Sequence, residues 1–155
     1  MKKLIFAVVT GAFVLGSCKK AVTEHEEDYP HSEVNSTVVT VSNWTGDDAA
    51  YFATAQVDFI TQDIHDNGAV MCYIEDGGTW LAMPVTLSSG SWISHYVFST
   101  QVGGVNLTVY DDDGLTPNPG TTSFKIVAIN SVGMTQNPNV NLDNYEEVKK
   151  AFDID

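Results

Sequence analysis

The chain has 155 residues, a length that suits one domain with a short extension. It carries 20 acidic residues and a formal net charge of −13, and Lys125 is the single basic residue between Ala21 and Val148. The chain lacks the cations that neutralise a phosphate backbone, so we exclude nucleic acid as a partner. Peripheral binding to anionic lipid is disfavoured for the same reason.

The N-terminus has the pattern of a secretory signal. Lys2 and Lys3 precede an apolar stretch over residues 4–14. This stretch is too short for a stable transmembrane helix, which needs roughly 20 apolar residues. Gly16 and Ser17 follow as small residues, and the combination is typical of a cleaved signal peptide over residues 1–17.

The cysteine that follows changes the kind of signal we expect. Leu15-Gly16-Ser17-Cys18 resembles the lipobox of bacterial lipoproteins. The resemblance implies that the Cys18 thiol is acylated and that Cys18 becomes the first residue of the mature chain. Two or more acyl chains would then anchor the protein to a membrane. The alternative is a plain secreted protein with a chance cysteine at this position.

Residues 18–36 are predicted to form the lipidated cysteine and a flexible acidic tether. Low hydrophobicity and the cluster Glu24-His25-Glu26-Glu27-Asp28 favour disorder here. The cluster also resembles the export signal that sends Bacteroidetes-type lipoproteins to the outer face of the outer membrane. Lys19 and Lys20 intervene between it and Cys18, where that signal normally has its acidic residues. We therefore expect an outer-membrane lipoprotein of the cell envelope and leave the periplasmic and outer faces both open.

Residues 37–155 are predicted to form the folded domain. Seven segments have the alternation or the continuous apolar character of strands. They cover residues 37–44, 51–60, 69–74, 79–83, 92–99, 105–110 and 123–129. Many short strands and little helix predict a mainly β protein, an antiparallel β-sandwich of about seven strands.

Turn residues separate these strands. Thr45–Asp48 is expected to close the first strand, and Glu75–Gly78 to form a hairpin turn. Residues 63–68 are expected to form a helical turn that ends on the left-handed preference of Asn67-Gly68. Pro84 is expected to stop the ladder that the fourth strand forms.

A short C-terminal helix is predicted to pack on the sandwich. Asp143 is the expected N-cap, with Glu146 three residues on as its capping-box partner. Tyr145, Val148 and Phe152 recur at helical spacing and form one apolar stripe.

Cys72 lies within the apolar run of residues 69–74. With Cys18 acylated it has no partner for a disulfide. We interpret it as a buried residue that packs as a small hydrophobe, in preference to a nucleophile.

Five spaced segments of the mature chain resemble one family. They are Ile60-Thr61-Gln62-Asp63-Ile64, Gly68-Ala69-Val70, Trp80-Leu81-Ala82-Met83-Pro84, Phe124-Lys125-Ile126-Val127 and Tyr145-Glu146-Glu147-Val148. Together they resemble a family of uncharacterised Bacteroidetes-type lipoproteins with a β-sandwich domain. In some relatives that domain follows a collagen-like stretch, and this chain has no such repeat. The family carries no established catalytic or binding residues, so the resemblance implies a fold and a location only.

Two sets of residues are candidates for binding. Trp44, Trp80 and Trp92 are candidates for stacking on sugar rings, because β-sandwiches often carry such platforms. The alternative is that these tryptophans fill the core or cover a hairpin. Asp111 and Asp113 are candidates for Ca²⁺ ligands, and the alternative is an acidic solvated turn. The sequence suggests no other cofactor.

The residues needed for hydrolysis are poorly represented. Only His65 and His95 lie in the predicted domain, and no Gly-x-Ser-x-Gly elbow accompanies them. We therefore predict a non-enzymatic, lipid-anchored envelope protein that serves as a binding or structural accessory for an unidentified protein or glycan. The alternatives are a glycan-binding module that uses exposed tryptophan and, less favoured, an envelope hydrolase.

Overall fold

The computed structural model describes residues 33–154. The predicted signal peptide, Cys18 and most of the predicted tether lie outside these described residues. Within residues 33–154 the chain forms nine strands and three helices. The strands are β1 (Val34–Val41), β2 (Thr45–Asp47), β3 (Ala50–Gln56), β4 (Ala69–Asp76), β5 (Thr79–Ala82), β6 (Val85–Ser89), β7 (Trp92–Gln101), β8 (Gly104–Tyr110) and β9 (Thr122–Ile129). The helices are α1 (Gln62–Asn67), α2 (Ser131–Gln136) and α3 (Tyr145–Phe152).

The strands form two antiparallel sheets, and the predicted β-sandwich is confirmed. The four-stranded sheet has the order β1-β9-β4-β5, and the five-stranded sheet has the order β2-β3-β8-β7-β6. Strand β4 lies between β9 and β5, as its continuous apolar run predicted. Strands β7 and β8 form a hairpin in the middle of the other sheet.

Two strands were not predicted. Thr45–Asp47, expected to be a turn, pairs as β2 with Ala50–Phe52, and three residues are too few to show an alternating pattern. Pro84 does end β5, but the chain then continues as β6 in the opposite sheet and pairs with β7. Val85 and Leu87 of β6 pack on the core between the sheets. Helix α2 was also missed, and its N-cap is Asn130, whose Oδ1 accepts from Gly133 N at 2.8 Å.

Helix α1 was predicted, but the reason that we gave for its end at Gly68 is wrong. Its C-cap Gly68 has φ −101°, which is extended backbone and not left-handed. A Cβ at Gly68 would lie 2.3 Å from Ile129 O. Glycine is therefore needed here because the β9 backbone approaches closely.

The core between the sheets is built from alternate residues of each strand. Phe124, Ile126 and Ala128 point inward from β9 and are fully buried. Val105 and Leu107 point inward from β8 and meet them. The period of two in strand side chains thus places the predicted apolar sets on one face, as expected.

A second core lies on the outer face of the four-stranded sheet. Tyr73, Val127 and Ile129 point outward there and are covered by Tyr145 and Val148 of α3. The Tyr73 hydroxyl donates to Leu142 O at 2.7 Å and holds the segment before α3 against β4. The outer face of the five-stranded sheet has no such cover among the described residues, so the two faces of the molecule differ.

Lys125 lies within this second core. Its side chain is 7% exposed, and its Nζ lies 5.7 Å from the centroid of the Tyr145 ring. The aromatic face stabilises the buried cation through its quadrupole. The single basic residue in the middle of the chain therefore packs beneath α3 and is not presented to a ligand.

The C-terminal helix packs on the sandwich as predicted, but its cap is one residue later. Asn144, not Asp143, is the N-cap, and its Oδ1 accepts from Glu146 N at 3.1 Å. Its Nδ2 donates to Glu147 Oε1 at 3.1 Å, whereas its backbone N–H donates to Asn141 O, so the predicted capping-box bond to Glu146 is not formed. An amide both accepts and donates, which a carboxylate at Asp143 does not do, and this favours the shifted cap.

The boundary between tether and domain also differs from the prediction. Strand β1 begins at Val34, three residues before the predicted start of the domain at Thr37. Val34, Asn35 and Ser36 pair with Ile129, Ala128 and Val127 of β9. The polar residues Asn35 and Ser36 do not show the apolar pattern that predicts a strand. They join the sheet because their partner strand β9 comes from the far end of the domain.

Cys72 is fully buried in β4, as predicted. Burial raises the pKa of its thiol to about 12, so the thiolate is not formed at neutral pH. The side chain packs with the inter-sheet core and behaves as an apolar group.

We expect Cys72→Ser to lower the free energy of unfolding by about 1–3 kcal/mol, because it places a hydroxyl in an apolar core. Urea unfolding followed by circular dichroism measures the change. Cys72→Ala is the matched control, since it reduces volume without adding a polar group. Equal stability of Cys72→Ser and the parent chain would contradict this account of the site.

Candidate functional site

Two of the three candidate tryptophans have structural roles. Trp44 is half-buried; its Nε1 donates to Gly120 O at 2.8 Å, and its ring meets Phe124 edge-on with centroids 6.1 Å apart. Trp80 lies half-buried on the outer face of the four-stranded sheet, 6.1 Å from the Tyr145 ring. Both rings contact other aromatic rings of the protein, so we interpret these two tryptophans as packing residues.

Trp92 is the exposed tryptophan. It is the first residue of β7, and 41% of its surface is accessible. It lines a cleft of about 390 Å³, within the lower part of the range for small-molecule sites. We call this the Trp92 cleft; its polar and aromatic lining comprises Asp76, Ser88, Ser89, Trp92, Ser94, Tyr96 and Asn118.

Three connections at one end of the sandwich build the Trp92 cleft. The β4–β5 hairpin supplies Asp76, the β6–β7 hairpin supplies Ser88 and Trp92, and the loop before β9 supplies Asn118. The first hairpin turns tightly because Gly77 and Gly78 adopt φ of +59° and +86°. Two-residue turns of this kind hold the residues at the strand ends in a defined position.

Tyr96 forms the deeper wall of the cleft. It lies on the inward face of β7 beside the buried Ser94. Burial raises the pKa of the Tyr96 phenol, and the charge of Asp76 raises it further. The phenol therefore stays protonated at neutral pH and can donate a hydrogen bond, while the neighbouring Asp76 carboxylate can accept one.

The loop that carries Asn118 is fixed at both ends. Thr116 is buried; its N–H donates to Asp48 O at 2.6 Å and its hydroxyl to Ala49 O at 3.1 Å. At the other end Trp44 Nε1 holds Gly120 O. Trp44 therefore supports the wall of the cleft that Trp92 lines.

The Asn118 side chain is partly used within this loop. Its Oδ1 accepts from Gly120 N at 2.9 Å, so the group that it can offer a ligand is the amide NH₂. With Asp76 and Tyr96, the cleft therefore presents one strong acceptor and at least two donors beside the exposed Trp92 side chain.

This set of groups matches the surface of a sugar. The indole face can cover the C–H groups of a pyranose ring, and the carboxylate, amide and hydroxyl groups can bond its hydroxyls. No lysine or arginine lines the cleft, and Asp76 would repel a negatively charged ligand. The geometry therefore favours a neutral sugar over an acidic one.

Asp111 and Asp113 are used as acceptors for the backbone. Asp111 Oδ2 accepts from Ile93 N at 3.1 Å, and Asp113 Oδ1 accepts from Leu115 N at 2.9 Å. Among residues 33–154, no group of three or more His, Cys, Asp or Glu side chains is arranged to hold a metal ion. The two carboxylates thus fit the acidic-turn alternative, with Asp111 also fixing the start of β7 one residue after Trp92.

His95 lies between a hydroxyl and a carboxylate, the pattern that a hydrolase would need. Its Nδ1 is 2.9 Å from Thr86 Oγ1, its Nε2 is 3.3 Å from Asp112 Oδ1, and its ring stacks on Tyr110. Nε2 is nevertheless a buried atom without a hydrogen bond. The His95 side chain is 22% exposed, whereas the Asp112 side chain is 81% exposed. A carboxylate so open to water, with no hydrogen bond to the ring, does not orient the imidazole as the carboxylate of a hydrolase does.

A larger and more open cavity of about 440 Å³ lies between α2 and α3. Its lining includes Asn137, Asn139, Glu147 and Lys150 and no aromatic ring. Glu147 is already engaged in capping α3. The cavity therefore offers little that would orient a ligand, and we favour the Trp92 cleft.

Comparisons with protein-family models, with curated proteins and with solved structures found no significant match to this chain. Site residues cannot be transferred from a relative and are argued from geometry alone. None of the helices in the described part of the chain has the length and apolarity that a bilayer crossing requires.

Sequence reasoning selected Trp92 but missed its partners. Asp76 lies in the predicted hairpin turn, Tyr96 lies in the predicted strand over residues 92–99, and Asn118 lies between the predicted strands, and none of them was a candidate for binding. Asn118 lies between Pro117 and Pro119, and a polar residue held between two prolines is a signal of a rigid loop that could have drawn attention.

We expect Asp111→Ala to lower the melting temperature to the same extent with and without millimolar calcium, because it removes a backbone acceptor worth about 1 kcal/mol. Asp111→Asn is the matched control, since it keeps an acceptor oxygen. Differential scanning fluorimetry measures both. A calcium-dependent rise in the parent chain that Asp111→Asn loses would instead establish Asp111 as a ligand.

Proposed function

We propose that this protein is a lipid-anchored component of the bacterial cell envelope whose β-sandwich binds a neutral glycan in the Trp92 cleft. It acts as a binding accessory and carries out no catalysis. The observation that carries the binding part is the placement of the exposed Trp92 ring beside Asp76, Tyr96 and Asn118 in one cleft.

The anchor rests on the lipobox-like segment Leu15–Cys18. Cys72, the other cysteine, is buried in the core and has its thiol pKa raised, which leaves Cys18 as the residue for acylation. An outer-membrane location follows from the resemblance to Bacteroidetes-type lipoproteins. The acidic residues 24–28 favour its outward face, where a sugar-binding domain would meet polysaccharide.

The glycan class follows from the chemistry of the cleft. Asp76 is the one charged group among its lining residues, and it disfavours uronic acids and other anionic sugars. The cleft volume of about 390 Å³ suits one or two sugar units, with the rest of a chain left outside. A neutral hexose or pentose polymer is therefore the proposed ligand.

A hydrolase is the less favoured function. The Thr86, His95 and Asp112 group is the arrangement that would support it. Asp112 is 81% exposed and makes no hydrogen bond to His95 Nε2. His95 lies between the cleft residues Ser94 and Tyr96 along β7, but the alternation of strand side chains directs it to the opposite face of the sheet. Both features argue for a surface network instead. Binding without turnover of the captured sugar is the proposed outcome.

We expect Cys18→Ala to abolish acyl labelling and to release the protein from the membrane fraction. Metabolic labelling with a fatty-acid analogue and ultracentrifugation measure both effects. Cys72→Ala is the matched control and should leave labelling and membrane retention unchanged. A membrane fraction unaltered by Cys18→Ala would refute the anchor.

We expect Trp92→Ala to weaken binding of neutral oligosaccharides by about 2 kcal/mol, roughly 30-fold, as is typical of an aromatic residue at the centre of a binding site. A glycan array with neutral and acidic oligosaccharides identifies the ligand, and titration calorimetry measures the affinity.

The matched control is Phe52→Ala. Phe52 is 50% exposed but lies on the outer face of the five-stranded sheet, away from the cleft, so its removal should leave affinity unchanged. Affinity retained in Trp92→Ala, or parent protein that binds only acidic glycans, would contradict the proposal.

A further inference from the structure

Among the described residues, strand β1 at one edge of the four-stranded sheet has no neighbour on its outer side, and we call this side the open edge. Each sheet of the sandwich ends in two edge strands, and three of the four edges are short or interrupted. Strand β2 has three residues, β5 has four and contacts α3, and β6 has five and follows Pro84. Strand β1 has eight residues and contains no charge and no proline. Edges of this kind are the ones that pair with another chain.

The backbone hydrogen bonds show which residues of β1 direct their N–H and C=O groups to the open edge. Asn130 N donates to Glu33 O at 3.0 Å, which makes this opposed pair a hydrogen-bonded one. In an antiparallel ladder such pairs recur at every second residue. The odd-numbered residues of β1 therefore bond β9, and Ser36, Val38 and Thr40 direct their N–H and C=O groups to the open edge.

The side chains of β1 have a matching asymmetry. Val39 and Val41 pack on the inter-sheet core. Val38, in the middle of the strand, points the other way and is 50% exposed. An apolar side chain and a row of free backbone groups thus lie together at the centre of an uncharged edge.

We propose that β1 pairs antiparallel with β1 of a second copy of this chain, with a two-fold axis at Val38. Val38 then pairs with the partner's Val38, and Ser36 pairs with the partner's Thr40. The two four-stranded sheets become one continuous eight-stranded sheet. The pairing is independent of the proposed glycan site.

A second copy is the chosen occupant because β1 is complementary to itself in this register. Val38 faces Val38, and the hydroxyl residues Ser36 and Thr40 face each other, which are favourable cross-strand pairs. The net charge of −13 opposes contact between two copies, and β1 adds no carboxylate to that repulsion. In the proposed register Glu33 lies opposite Asn43 of its partner copy, so the one flanking carboxylate also meets a neutral residue.

The experiment traps the pair covalently in the full-length protein in isolated envelope fractions. Val38→Cys places two thiols across the two-fold axis on a hydrogen-bonded pair, whose Cα spacing of about 5.5 Å suits a disulfide. Mild oxidation and a non-reducing gel measure the dimer. We expect Val38→Cys to cross-link at least tenfold faster than Val102→Cys, which is equally exposed at 50% but lies in the β7–β8 turn.

Cross-linking between two different positions of β1 tests the register of the pair. Ser36→Cys and Thr40→Cys should cross-link with each other when co-expressed and only slowly when expressed singly, since each faces the other across the pair. Adding Val38→Glu should abolish this cross-linking while leaving the melting temperature unchanged. Within one copy the introduced carboxylate lies opposite Lys125, whereas across the axis two such carboxylates repel.

The cross-linking results distinguish the β1 pair from a foreign strand at the same edge and from a failure of the lipid anchor. Equal cross-linking of Val38→Cys and Val102→Cys, or none for Val38→Cys, overturns the pairing. A Val38→Cys adduct with a different protein also overturns it and assigns the edge to a foreign strand. A disulfide dimer of the parent chain would indicate a free Cys18 thiol and would count against the lipid anchor, not against the β1 pair.

Discussion

Strand β9 is the constraint on which the rest of the structure depends. It pairs on both sides, with β1 and β4, and is buried on both faces from Phe124 to Ile129. Its inward residues form the core between the sheets, and its outward residues form the core beneath α3. Because both cores share this strand, the sandwich and the C-terminal segment stabilise each other. Lys125 on β9 also lies in the apolar layer, where the Tyr145 ring covers its ammonium group.

This arrangement makes the molecule asymmetric. The C-terminal segment covers the outer face of the four-stranded sheet, whereas the five-stranded sheet presents Phe52 and Tyr110 to solvent. The Trp92 cleft lies at neither face but at one end, where hairpins and the proline-rich loop meet. Its walls are connections fixed by Thr116 and Trp44, so the rigid sandwich holds the site in place. The two proposals use separate parts of this frame, one end for a glycan and one edge for a second copy.

Much of the fold could be predicted because local patterns and tertiary structure agree. The alternation in residues 105–109 and 124–128 marks the same inward faces that the sheets bury. The elements that escaped prediction are too short or too polar to show a local pattern. Strand β2 has three residues and pairs with β3 in a tight hairpin, and the polar residues 35 and 36 join the sheet because β9 lies beside them. In the site, Trp92 could be predicted from the sequence. Asp76 and Asn118 are 16 and 26 positions away from it, and no local sequence feature indicates that they share a site with it.

The sequence by itself determined the class of fold, the burial of Cys72, the apolar stripe of the C-terminal helix and the acidity of the chain. Each of these follows from composition or from the period of side chains along a single element. Only the tertiary structure decided which tryptophan is free, because the exposure of Trp44, Trp80 and Trp92 depends on what packs against each ring. It also decided that Asp111 and Asp113 bond the backbone and that β1 is the open edge. Strand order and loop contacts join residues far apart in the chain, and no local pattern encodes them.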